Sequence, residues 1–129
     1  MKRPRLLVID DERALAEFVA QVAAECGYAP SLTADDAGFR QEFIDGRPDV
    51  VVLDLGMPGM DGVELLRFLA AQEHKAPVLI ISGFDRRVLE SAFRLGEALG
   101  LQMIGPLEKP VRFGDLETLL RRLKTSLVQ

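Results

Sequence analysis

An α/β sandwich, with a parallel sheet covered by helices on both faces, is the fold class this sequence predicts, and three observations predict it. Short unbroken aliphatic runs recur and each stops at a polar or acidic residue: Leu6-Leu7-Val8-Ile9 before Asp10, Val50-Val51-Val52-Leu53 before Asp54, and Val78-Leu79-Ile80-Ile81 before Ser82. Runs without alternation read as strands covered on both sides. Between them the apolar period becomes helical, and Gly27, Gly46 and Gly100 fall where a helix should hand over to a strand, as C-terminal caps.

The elements follow in order. After the first strand, Leu15, Phe18, Val19, Val22 and Cys26 fall at i, i+3, i+4, i+7 and i+11, one apolar stripe of a helix. A weaker strand fits Ala29 to Thr33, with Thr33 and Asp35 as N-cap candidates for a second helix that carries Phe39 and Phe43. The Val50 strand leads to a third helix through Leu65, Leu66 and Leu69. The Val78 strand leads to a fourth, Arg86 to Leu99, with the stripe Val88, Ala92, Leu95 and Leu99. A second weak strand, Leu101 to Leu107, and the stripe Leu116, Leu119, Leu120, Leu123 and Leu127 complete five βα units. Neither a linker nor a repeat interrupts them, so residues 1–129 are expected to form one domain with its core over about 5–123.

Composition narrows the function. At 129 residues with 48% hydrophobic and 28% charged side chains, the chain is globular rather than disordered or fibrous. Its 16 Lys+Arg against 20 Asp+Glu leave a net charge of -4, which argues against nucleic acid or an anionic membrane as a partner held by charge. The single cysteine, Cys26, excludes an intrachain disulfide framework and a Cys-based zinc site. The apolar runs fall far short of the roughly 18 residues of a membrane span. The basic start Met1-Lys2-Arg3-Pro4-Arg5 precedes an apolar stretch that already ends at Asp10-Asp11, too soon for a signal peptide, so the cytoplasm is the expected compartment.

In open α/β sheets the ligand crevice lies at the carboxyl ends of the strands. Those ends carry Asp10-Asp11, Asp54, Ser82-Gly83 and Lys109-Pro110, while the second strand ends in an uninformative Thr33-Ala34. Three carboxylates crowded together repel and take up protons unless a cation sits among them. Hard oxygen ligands at a partly solvated mouth suit Mg²⁺, which also accepts phosphate oxygens. Asp54, ending the most hydrophobic strand, is the candidate nucleophile, and a carboxylate attacking phosphorus gives an acyl phosphate. Lys109 would add positive charge to the phosphoryl oxygens and Ser82 a hydrogen bond.

This set, with Asp54-Leu55-Gly56-Met57-Pro58-Gly59-Met60-Asp61-Gly62, resembles the receiver domain of two-component response regulators, in motif order and spacing, from Arg5 to Leu123. The resemblance implies a flavodoxin-like fold with strand order 2-1-3-4-5. It implies that Asp54 accepts phosphate from a sensor histidine kinase or phosphotransfer protein, and that Asp11, Asp54 and the Gly56 backbone carbonyl bind Mg²⁺, with Asp10 acting mainly through a metal-bound water. Ser82 would be the switch hydroxyl, Lys109 the phosphate contact, and the bond before Pro110 cis. Partners so implied are that kinase, an effector domain or protein downstream, and a second copy of the chain, with phosphorylation switching the surface near the fourth helix, fifth strand and fifth helix. Only self-phosphorylation and self-dephosphorylation are implied, not an enzyme's turnover.

Two departures stand out. Pro106 occupies the place, three residues before the lysine, where the family usually has Tyr or Phe. The interval from Ser82 to Lys109 is longer than usual by a little over one helical turn. That extension, with Leu107-Glu108-Lys109-Pro110, is similar to receivers found ahead of cyclic-di-GMP phosphodiesterase domains.

Plainer roles compete at several positions. Asp10-Asp11 could cap the first helix, Ser82 could be a turn hydroxyl, and Gly59 with Asp61-Gly62 reads as a turn into the third helix. His74 sits in the polar stretch Gln72-Glu73-His74-Lys75 and is expected in solvent. Cys26 reads as a core filler, and Arg86-Arg87 and Arg121-Arg122 as solvated helix faces. Leu107, Val111 and Phe113 are expected either in the core or as an exposed patch beside the fifth strand. Two other functions compete with a switched receiver. One is a receiver-like docking module that does not switch. The other is a small flavodoxin-like Mg²⁺-dependent phosphatase, disfavoured because Gly56 stands where such enzymes need a second acid. A dinucleotide fold is disfavoured by the lack of G-x-G-x-x-G after the first strand.

Overall fold

The structure, a computed structural model, describes residues 3–55, 62–83 and 86–127. Along them strands and helices alternate: β1 (Arg5–Ile9), α1 (Arg13–Glu25), β2 (Ala29–Thr33), α2 (Asp36–Gly46), β3 (Val50–Asp54), α3 (Gly62–Ala71), β4 (Pro77–Ser82), α4 (Arg86–Ala98), β5 (Gln102–Glu108) and α5 (Phe113–Leu127). The sheet is parallel throughout, in the order β2-β1-β3-β4-β5. This is the flavodoxin-like α/β sandwich, with both weak strands present and β5 displaced by one residue from its expected start.

Successive residues of the central strands face opposite layers. Leu7, Ile9, Val51, Leu53, Val78 and Ile80 meet Phe39, Phe43, Leu65, Leu66, Leu69 and Leu89 from α2, α3 and α4. Leu6, Val8, Val50, Val52, Leu79 and Ile81 meet Val19, Val22, Leu116, Leu120 and Leu123 from α1 and α5. Both faces being dry, every strand position must be apolar, which is why the runs show no alternation. Each such aliphatic side chain contributes roughly 1.5–3 kcal/mol by leaving water. The two edge strands, β2 and β5, are only partly covered.

Local chemistry differs from the sequence reading at four places. Gly46 is the last residue of α2, and Arg47, at φ 45°, takes the left-handed cap position instead. Asp35 is the N-cap of α2 and accepts from the Gly38 N–H at 2.7 Å, whereas Thr33 ends β2 and donates to the Val8 carbonyl. Val88 is exposed, and the inward stripe of α4 is Leu89, Ala92 and Gly96; an aliphatic count alone misses a glycine that serves close packing. His74 is half-buried beside Phe43, with ring centroids 5.2 Å apart, rather than in solvent. Cys26 is buried, as a core filler should be, and Arg86, Arg87, Arg121 and Arg122 are exposed.

The β4–β5 ladder shifts register between Leu79 and Ile81, opposite Gly105-Pro106. Gly105 sits at φ 90°, and a Cβ there would lie 3.0 Å from Leu79 and 3.1 Å from the Leu107 amide, so only glycine fits this irregularity. The bonds before Pro106 and Pro110 are both cis. Pro106, lacking an N–H, sits on the edge strand, where the loss is tolerated. No helix among the described residues is long and apolar enough to cross a membrane.

Candidate functional site

Sheet register brings the acids together. β1 and β3 are neighbours with Ile9 opposite Leu53, so the next residues, Asp10 and Asp54, emerge side by side at the carboxyl edge. Asp10, Asp11 and Asp54 each offer a carboxylate oxygen, and these lie within 4.8 Å of one another. Asp10 and Asp54 are buried, while Asp11 faces solvent. Asp10 also accepts from the Glu12 backbone N–H at 2.8 Å, and its own N–H donates to Thr33 at 3.1 Å. It therefore helps to start α1, the plainer role, while turning toward Asp54.

Ser82 ends β4 opposite Glu108, one residue beyond the Asp54–Ile81 pair, and is buried. The Lys109 backbone N–H donates to its carbonyl at 2.9 Å, which ties the loop after β5 to the end of β4. From there the Lys109 side chain runs over Gly83, and its ammonium lies 3.1 Å from Asp54 Oδ2. Asp10, Asp11, Asp54, Ser82 and Lys109 thus gather at one edge of the sheet. Gly56, and the turn residues Gly59 and Asp61, lie outside the described residues.

The charges are strained against one another. Burial pushes the Asp10 carboxyl up from 3.8 to about 6; the Glu12 N–H and Lys109 oppose this, and the hydrogen bond and charge of Asp54 reinforce it. Burial works against the Lys109 ammonium too, but the hydrogen bond and charge of Asp54, with Asp10 and Glu12, outweigh it and hold its pKa above 10.5. Three carboxyl groups sharing one lysine remain short of positive charge. That deficit, and a donor set made only of hard oxygens, fit a divalent cation such as Mg²⁺.

Sequence reasoning does not single out Glu12. Its carboxylate Oε2 lies 3.5 Å from the Lys109 ammonium, on the solvent side. The signal was its place directly after Asp10-Asp11, but an acid at a helix start is too common to be noticed. Glu12 and Lys109 border a groove of about 580 Å³ whose wall is otherwise apolar, formed by Leu15, Phe18, Pro110 and Val111 among others. Leu107 and Val111 pack partly onto the α1–α5 core, and only Phe113 of the expected patch is well exposed.

The chain matches a family model, the response regulator receiver domain, over residues 6–121. It is 31% identical over 120 residues to response regulator MprA of Mycobacterium ulcerans, covering 93% of this chain and 51% of that protein. It is similar to the receiver domain of Francisella response regulator 1452, with a TM-score of 0.81 at 26% identity over 97% of this chain and 99% of that one. A response regulator from Colwellia psychrerythraea gives 0.80 at 28% identity, over 95% and 98% of the two chains. The chain spans about half or less of the length of the curated relatives it matches.

Proposed function

The chain belongs to the response regulator receiver domain family, and from that premise we propose that it is a signalling switch whose Asp54 accepts a phosphoryl group in a Mg²⁺-dependent reaction. An Asp54 carboxylate oxygen attacks phosphorus of a phosphohistidine, the P–N bond breaks, and the imidazole nitrogen leaves with the electron pair. Burial beneath Lys109 orients that oxygen. Asp11 and Asp54, with the Gly56 carbonyl, would hold Mg²⁺ directly and Asp10 through water. When bound, the ion neutralises charge on the group being transferred. Lys109 follows the phosphoryl oxygens, and the Ser82 hydroxyl donates to them. Because β4 and β5 are tied at Ser82 and Lys109, a shift of either reaches α4 and α5, and phosphate biases the population that it binds better.

The observation that carries this reading is the 3.1 Å pairing of Lys109 with Asp54 inside the three-carboxylate cluster. The donor would be a sensor histidine kinase or phosphotransfer protein, and the reader an effector or a second copy of the chain, in the cytoplasm. Incubation with acetyl phosphate and Mg²⁺ is expected to add one phosphoryl group by intact mass. Asp54→Asn is expected to gain none, and labelling of that variant at the wild-type rate overturns the assignment.

A docking module without a switch is favoured by one observation: Pro106 offers no aromatic ring to change rotamer with Ser82. Equal partner affinity or dimerisation with and without phosphate at Asp54 would support that second reading.

A further inference from the structure

Glu12 stands immediately before α1, yet its side chain makes no cap hydrogen bond with the helix. Its backbone N–H is held by Asp10, and its carboxylate, 60% exposed, reaches the same ammonium that pairs with Asp54, itself only 2% exposed. The lysine thus has one carboxylate beneath it and one above, on the solvent side. Among the described residues lining the groove there, Glu12 is the one acid. Lys109 borders this groove and pairs with Asp54, so a phosphodonor drawn to the ammonium from the groove side also meets the charge of Glu12.

We propose that Glu12 is a specificity-determining residue for phosphoryl transfer: held at the mouth by Lys109, its carboxylate selects against donors that bring more negative charge to Asp54. This rests on the reading of Asp54 as phosphoacceptor. At roughly 6 Å in a solvated mouth, each unit of donor charge facing Glu12 slows transfer about three-fold at low salt. The effect therefore grows with donor charge, which a role in merely holding Lys109 would not produce.

Two small donors separate the cases. Acetyl phosphate is a dianion at neutral pH; Asp54 attacks phosphorus, the P–O bond to the acyl group breaks, and acetate leaves with the electron pair. Phosphoramidate carries one negative charge fewer; its P–N bond breaks and ammonia leaves with the protons that nitrogen already held. Labelling rates of the full chain with Mg²⁺ would be followed by intact mass at low salt. Glu12→Gln is expected to raise the ratio of acetyl phosphate to phosphoramidate rates about three-fold, while Glu12→Asp, which keeps the charge, stays near the wild-type ratio. Added salt should raise the ratio in the wild type more than in Glu12→Gln. An unchanged ratio in Glu12→Gln, or equal changes with both donors, overturns the proposal. A wild-type protein labelled by neither donor overturns the reading of Asp54 instead, so the two failures are distinct. Should Glu12→Gln fold poorly, Glu12→Ala, which removes the same charge from an exposed side chain, is read in the same way, and an unchanged ratio there overturns the charge selection.

Discussion

Asp10 and Asp54 leave adjacent strands one residue after the Ile9–Leu53 pair, and both are buried, at 4% and 2% exposure. The sheet register thus forces together two groups that would repel if both were ionised. Burial chiefly, and then Asp54, is what lifts Asp10 to about 6.

Asp10→Asn is therefore expected to stabilise the metal-free protein. A carboxyl whose folded pKa is raised holds its proton more tightly when folded. The penalty for ionising it is absent at low pH and develops as pH rises from about 4 through about 6. At pH 7 the shift corresponds to about 3 kcal/mol, and at pH 4 to under about 1 kcal/mol. Urea denaturation without metal should show Asp10→Asn ahead of wild type by an amount of that order at pH 7, with the gap closing on acidification. A pH-independent gap would remove ionisation of Asp10 as its cause.

Lys109→Met keeps a stem over Gly83 and deletes the charge facing Asp54. With a buried carboxylate losing its 3.1 Å partner, stability at pH 7 is expected to fall by about 1.5–3 kcal/mol, the range for a hydrogen bond to a charged group. In an Asp54→Asn background the same change should cost less, because the carboxylate that lies 3.1 Å from the ammonium is already gone and only Asp10 and Glu12 still feel its charge. A double-mutant cycle in chemical denaturation measures this, with coupling of about 1 kcal/mol expected and strict additivity as the contrary result.

The central strands were legible because dry faces on both sides demand unbroken aliphatic runs, and the acids that stop those runs marked the edge where the site lies. Asp10, Asp11, Asp54, Ser82 and Lys109 needed only topology to be brought together. What escaped was contact that no periodicity encodes. His74 looks polar among Gln72, Glu73 and Lys75, yet the end of α3 folds it against Phe43. Gly96 carries no side chain to count, yet it lets α4 approach Met103 on β5. Glu12 resembles any acid at a helix start until Lys109 arrives from the far end of the chain.

His74 gives the fold a sensitivity to acid. Burial lowers its pKa below 6.5, against the opposing pull of a hydrogen bond at the Pro77 backbone and the charge of Asp49. Its Nε2 is buried with no hydrogen-bond partner. Since the folded state prefers the neutral ring, the unfolded chain takes up the proton first, and stability falls as pH drops below 6.5 toward the folded value. His74→Met removes that contribution. The stability difference between wild type and His74→Met, followed by urea denaturation from pH 7.5 to 5, should drift against wild type as pH falls; a constant difference would contradict this account.

Gly96 offers a test of packing at the opposite side of the sheet from α1. A Cβ built there would overlap the Met103 Sδ and lie 2.7 Å from its Cε and 2.8 Å from its Cγ, so more than the flexible tip of methionine must move. Alanine would gain up to about 1 kcal/mol in helix propensity, but overpacking typically costs about 1–3 kcal/mol. Gly96→Ala is therefore expected to be destabilising by about 1 kcal/mol despite the better helix former. Met103→Ala alone should also destabilise, by opening a cavity. In Gly96→Ala/Met103→Ala the new methyl occupies part of that space, so the double variant should be more stable than the sum of the two losses allows. Thermal or urea denaturation of the four proteins reads this directly. Gly96→Ala matching or exceeding wild type would mean that α4 can shift away from β5 at no cost, and that glycine is not required for their contact.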